Sequence, residues 1–197
     1  SAVRRVLRIK YALGLFQDPY RFNDAERERR YTLAPEHLLA SRLAAREGIV
    51  LLKNSPHTLP LRKDFSTVAV IGPLADDAQS SLGNWTANGR KEEAVTVLAG
   101  VRGLVGPSVK VIYALGCAVD CADTTGFAAA RDAAARSDAI VLVLGESEEM
   151  SGEASVRSSI ELPGSQLAPA RCGPHAPRRG TQFGAPPPPP PPVRAPP

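Results

Sequence analysis

The 197 residues hold one tryptophan, one methionine and three cysteines, and aromatic side chains make up only 5%. No stretch approaches the roughly eighteen consecutive apolar residues that read as a membrane span, so no membrane partner is expected. The basic N-terminal segment SAVRRVLRIKYALGLF lacks the uninterrupted apolar core of a signal peptide, because Arg4, Arg5, Arg8 and Lys10 break it. Three cysteines are too few for a disulfide framework. Cys117 and Cys121 read as small, partly buried thiols, with Cys172 apart from them. His37, His57 and His175 are scattered, so no metal site is expected. Neither G-x-G-x-x-G nor G-x-x-x-x-G-K-[ST] occurs, which removes the phosphate-cradling loop of a nucleotide site. No cofactor is implied.

Acidic residues are also missing from one region. Residues 168–197 contain Arg171, Arg178, Arg179 and Arg194 and no Asp or Glu. Removing those four charges from the formal net charge of +4 leaves residues 1–167 near zero. The basic excess therefore belongs to the tail, and a nucleic-acid surface on the folded part is not indicated. Proline density in the tail blocks helix and central strand and leaves little to bury, so disorder is expected there. A polyproline II ligand for an SH3 or WW domain is one reading of it. A shifted reading frame in GC-rich DNA is the preferred one, because the break interrupts an α/β unit.

Upstream of the tail the pattern is regular. Val3, Val6, Leu7, Tyr11 and Leu15 recur at helical spacing, Gly14 marks a stop, and Pro19 begins a turn. The charged run NDAERERR reads as a solvated linker. A second helix is expected over about 35–48, and IVLLKN beyond it fits either a helical extension or a short strand. Strands follow over 66–72, 110–116 and 139–146, apolar on both faces as in a covered parallel sheet. Helices are expected between them over 94–106 and, capped by Asp123 or Thr124, through TGFAAARDAAARSD. The alternation calls for an α/β fold, an incomplete doubly wound sandwich. The expected domains are 1–34 as a terminal helix and linker, 35–167 as a partial α/β sandwich, and 168–197 as tail.

Ligands of open α/β sheets bind beyond the carboxyl ends of the strands. Three segments lie there: GPLADDAQSSLGNWTANGR, GCAVDCADTTG and GESEEMSGEASVR. The last crowds Glu146, Glu148, Glu149 and Glu153 together, with Arg157 behind them. Crowded carboxylates raise one another's pKa, as a general acid near neutral pH requires. A solvated acidic loop has the same composition.

In order and spacing, KYALGLFQDPYRF, AAREGIVLLKN, TLPL, VAVIGPLAD, LGNW and VLGESEEMSGEASVRSSIELPGSQ resemble family 3 glycoside hydrolases of the bacterial β-glucosidase type. The resemblance covers residues 1 to about 167. It implies that the first segment closes a TIM-like barrel and that VAVIGPLAD opens the sandwich domain leaning over the barrel's active site. Glu153 then aligns with the catalytic general acid/base, and Glu146 is second choice for that role. Glu146, Arg157 and Trp85 are candidate substrate-binding residues, Arg157 by pairing with a carboxylate and Trp85 as a loop aromatic or a domain-packing side chain. The implied reaction is retaining hydrolysis of a terminal β-linked sugar. Its aspartate nucleophile would lie on the barrel, upstream of Ser1. The implied partners are a β-linked oligosaccharide or glucoside and the missing barrel, and the chain by itself is expected to be inactive. A non-catalytic carbohydrate-binding or regulatory module is the alternative.

Overall fold

The computed structural model describes residues 1–55, 58–62 and 64–168. The proline-rich tail beyond Ala168 lies outside the described residues. The chain divides into two compact units, Ser1–Leu59 and the part from Pro60 onward.

The first unit is helical, with α1 (Ala2–Ala12), α2 (Ala25–Tyr31) and α3 (Pro35–Gly48). None of the three helices buries a residue. Val3, Val6, Leu7, Ile9 and Tyr11 of α1 are exposed. The run taken from sequence as a linker is in fact α2. Asp24 caps it by accepting the N–H groups of Glu26 and Arg27, both at 3.0 Å. A capped run of Ala, Glu and Arg, all good helix formers, closes into two turns while remaining solvated. Proline opens α3 at its first turn, where its missing N–H costs nothing. The IVLLKN segment is neither helix nor strand. It ends where the Asn54 side chain exchanges two 2.8 Å hydrogen bonds with the backbone of Leu59, a closed loop that gives the asparagine a structural role.

The second unit is a parallel three-stranded sheet in the order β2-β1-β3, with β1 at Thr67–Ile71, β2 at Lys110–Ala114 and β3 at Ala139–Leu142. Two helices intervene, α4 (Val97–Val105) and α5 (Phe127–Ala135). Alternate residues face opposite sides of a strand, and the core divides accordingly. Ala69, Ile71 and Ala114 pack with Ala130, Ala133 and Ala134 of α5. Val70 packs with Ala75 and Leu98 on the α4 side. Helices thus cover both faces, as the apolar runs require.

Three boundaries differ from expectation. Full burial on both faces holds for β1 alone, because β2 and β3 each have a single strand neighbour among the described residues. β3 stops at Leu142 rather than reaching Glu146. Val143 still donates to the Ile71 carbonyl at 2.8 Å, but beyond it the backbone turns to side-chain partners. α5 starts after Gly126, because the Asp123 carboxylate instead accepts the N–H (2.9 Å) and hydroxyl (3.0 Å) of Thr125. Those bonds hold the Asp123 pKa below its ordinary value.

At the amino ends of the strands, Asp138 accepts the N–H groups of Ser66 (2.8 Å) and Thr67 (2.9 Å), and its own N–H donates to the Thr67 carbonyl (3.0 Å). This fastens β3 to β1 in register. The opposite ends are left to loops.

Candidate active site

The chain leaves β1 at a branch point. Gly72 donates to Ala114 at the end of β2 (3.1 Å), while Leu74 donates to Val143 beyond β3 (3.3 Å). In a 2-1-3 order this is the topological switch point, where a crevice opens beyond the carboxyl ends of the strands. Gly72 has φ 131°, and a Cβ there would overlap the Val143 carbonyl oxygen. Only glycine lets the two loops start this close together.

The loop after β1 and the loop after β3 are joined by polar contacts. Ser80 Oγ lies 2.6 Å from Asp77 Oδ2 and 2.7 Å from Glu148 Oε2. Partial burial alone would raise the Asp77 pKa. The Ser80 hydroxyl and the backbone N–H groups of Ser80 and Gln79 outweigh that and hold it below the ordinary aspartate value. Asn84 Nδ2 donates to the Glu148 carbonyl at 3.2 Å. Gly152 lies so close to the Asn84 side chain that a Cβ would overlap it. Glu153 follows Gly152 and Trp85 follows Asn84, so this contact brings the two candidate segments together.

The candidate residues differ in how they are held. Arg157 Nη1 donates to Glu146 Oε1 and Nη2 donates to the Glu161 carbonyl at 2.8 Å. Their side chains are 23% and 36% exposed, less than any other ion pair among the described residues. Low exposure and a second acceptor fix the guanidinium in place. Trp85 is 73% exposed and is not a core residue of its unit. Glu153 is exposed, and among the described residues its carboxyl takes part in no hydrogen bond or ion pair. The crowding of acids in the sequence is thus resolved in the fold: Glu146 goes to Arg157 and Glu148 goes to Ser80, while Glu149 and Glu153 are both exposed and left open among the described residues.

Two features were not legible in the sequence. Cys117 and Cys121 form a disulfide rather than standing as free thiols. A spacing this short carries no framework pattern, so nothing in the composition marks the pair. It packs with Phe127 in a small cluster after β2. Gln166 is 2% exposed, and its carboxamide ties this segment to the β3 loop. Among the described residues no group of three or more His, Cys, Asp or Glu side chains is placed to hold a metal, and no helix is long and apolar enough to cross a membrane.

Residues 49–170, more than half of the chain, match the glycosyl hydrolase family 3 C-terminal domain. The chain belongs to glycosyl hydrolase family 3. Similar family members include a periplasmic β-glucosidase of Salmonella typhimurium, 40% identical over 84% of this chain and 25% of its own length. A β-xylosidase of Formosa agariphila is 36% identical over 84% of this chain and 23% of its own length. Among solved structures, the β-glucosidase of Listeria innocua in complex with isofagomine superposes with a TM-score of 0.70 at 34% identity, covering 86% of this chain and 23% of that one. A β-glucosidase involved in saponin metabolism from intestinal bacteria gives a TM-score of 0.73 at 33% identity over 86% of this chain and 26% of its own. The chain therefore spans about a quarter of the length of these family 3 relatives.

Proposed function

We propose that this chain is the part of a retaining, β-glucosidase-like family 3 enzyme that carries the general acid/base, Glu153, and that the nucleophile comes from a barrel domain outside its sequence. The observation that carries this reading is the open carboxyl of Glu153, exposed on the loop after β3 and bound to nothing else among the described residues. Glu149 is open in the same way, and the resemblance of GEASVRS to the family's acid/base segment is what favours Glu153. A proton donor to a substrate must be reachable and not already committed. The exposed apolar side chains of α1 support a partner domain, since an amphipathic helix ordinarily buries its stripe.

In the first step Glu153 gives its proton to the glycosidic oxygen as that oxygen leaves the anomeric carbon. A barrel aspartate bonds to the same carbon from the opposite face. In the second step the Glu153 carboxylate takes a proton from water, whose oxygen displaces the aspartate. Retaining enzymes hold the two carboxyls roughly 5–5.5 Å apart. Glu146, neutralised by Arg157, accepts sugar hydroxyls, while Trp85 offers an apolar ring face for the sugar. Without the nucleophile no glycosyl-enzyme intermediate forms, so the chain alone is inactive.

The test is co-expression with the barrel of a family 3 β-glucosidase. Turnover of cellobiose is expected only in the combination, and Glu153→Ala should lower it about 10²–10⁴-fold. With 2,4-dinitrophenyl β-glucoside, whose leaving group needs no acid, added azide should restore the variant and release β-glucosyl azide. Undiminished cellobiose turnover in Glu153→Ala would remove the assignment.

The exposure of Trp85 favours a second reading, a carbohydrate-binding module without catalysis. Trp85 is the single tryptophan, so its fluorescence reports on this loop alone. A saturable change with glucose or cellobiose on the isolated chain would support that reading, and a flat titration would remove it.

A further inference from the structure

The Gln166 side chain, 2% exposed, spends its whole carboxamide on backbone. Its Oε1 accepts the Gly145 N–H at 2.9 Å, and its Nε2 donates to the Gly145 carbonyl at 2.8 Å and to the Val119 carbonyl at 2.5 Å. Both polar groups of one residue are thereby clamped by one side chain, in the way a neighbouring strand would pair them. Gly145 lies three residues beyond the end of β3, at φ 156°, and Glu146 is the next residue. Val119 lies inside the loop closed by the Cys117–Cys121 disulfide. The clamp therefore spans the loops after β2 and β3, reaching 47 residues back to Val119 and 21 back to Gly145.

We propose that Gln166 is the positioning residue of the acid loop: by clamping Gly145 to Val119 it sets where Glu146 and Arg157 stand and the angle at which the loop carries Glu153 to the substrate. This rests on the glycosidase reading above. A buried polar side chain whose partners are all main-chain atoms contributes rigidity at a chosen point, and an acid displaced by about 1 Å can lose on the order of 10²-fold in rate.

Gln166→Met keeps the length and removes the hydrogen bonds, whereas Gln166→Glu keeps the acceptor and loses the donors. In the complex with a family 3 barrel, the first step on cellobiose, which kcat/KM reports, needs a well-placed acid, whereas the first step on 2,4-dinitrophenyl β-glucoside does not. The expected result for Gln166→Met is a loss of about tenfold or more in kcat/KM on cellobiose with less than about twofold in kcat/KM on the dinitrophenyl substrate. Lowering the pH should return part of the cellobiose activity to Gln166→Glu relative to wild type, because a protonated carboxyl donates again. Equal losses of kcat/KM on both substrates would mean lost folded protein and would overturn the proposal.

A second measurement is independent of turnover. In the full chain by itself, hydrogen exchange at the Gly145 amide should be at least about fivefold faster in Gln166→Met than in wild type, with β1 amides unchanged. Unchanged Gly145 exchange would overturn the clamp itself. If the wild-type complex turns over neither substrate while the exchange result holds, the glycosidase reading fails and the clamp stands.

Discussion

Ser80 has one hydroxyl proton and two carboxylates within reach of it, Asp77 at 2.6 Å and Glu148 at 2.7 Å. It donates to one of them at a time, and both contacts link the loop after β1 to the loop after β3. Removing the hydroxyl in Ser80→Ala should cost roughly 0.5–1 kcal/mol by urea denaturation at pH 7, toward the low end because solvent screens a half-exposed cluster. The pH dependence has a definite sign. The Asp77 pKa is depressed in the fold, so its stabilisation is present above the unfolded value of about 3.9 and is lost as pH falls through the folded value. The difference between wild type and Ser80→Ala should therefore shrink as pH is lowered below about 4. A constant difference across that window would show that Asp77 is not the residue Ser80 serves. At this scale the sequence was read unevenly. Glu146 and Arg157 stood out as charged residues in one short segment, and the fold does pair them. Gln166 and Asp138 did not stand out, because each acts on backbone atoms far away in sequence, 47 and 72 residues at most. No local pattern records such partners.

Elements were legible where a single period dominated. The run STVAVIG is apolar on both faces, and β1 is the buried centre of the sheet. The heptapeptide AERERRY has no apolar stripe, and its helix follows from a cap and propensity instead. Ends of elements were least legible, since they depend on what the backbone meets next. β3 ends early because Gly145 meets the Gln166 side chain, and α5 starts late because Asp123 closes a turn of its own. Gly72 is the strictest position among these ends. Gly72→Ala must place a methyl group against the Val143 carbonyl at φ 131°. It should destabilise the second unit by about 2–4 kcal/mol, seen as a lower denaturation midpoint at unchanged slope. A change under about 0.5 kcal/mol, the range of an ordinary surface substitution, would mean that the loops part more easily than their geometry implies.

For the whole molecule, the order of the motifs pointed to the family more clearly than the composition pointed to any chemistry, and family membership follows from the match over residues 49–170. The composition did not disclose the disulfide between Cys117 and Cys121. A cross-link over so short a loop should contribute about 2 kcal/mol by the chain-entropy estimate. Reduction with dithiothreitol should lower stability by that order without unfolding the sheet, and it should also speed exchange at Gly145 through Val119 and Gln166. No effect of reduction on either quantity would separate the disulfide from the clamp.

The position of β1 at the centre of the sheet has a further consequence during synthesis. Its first residue pairs with Lys110, 43 residues later, and Val68 pairs with Ala139, 71 residues later. At about 5–20 residues per second, the most apolar strand leaves the ribosome roughly 2–9 s before its first neighbour and 4–14 s before its second. For that interval a short hydrophobic ribbon with two unpaired edges is available to any other chain nearby. Newly made chains should therefore be most vulnerable before Ala139 is translated, and yield should depend more on expression rate and holding chaperones than on the stability of the finished fold.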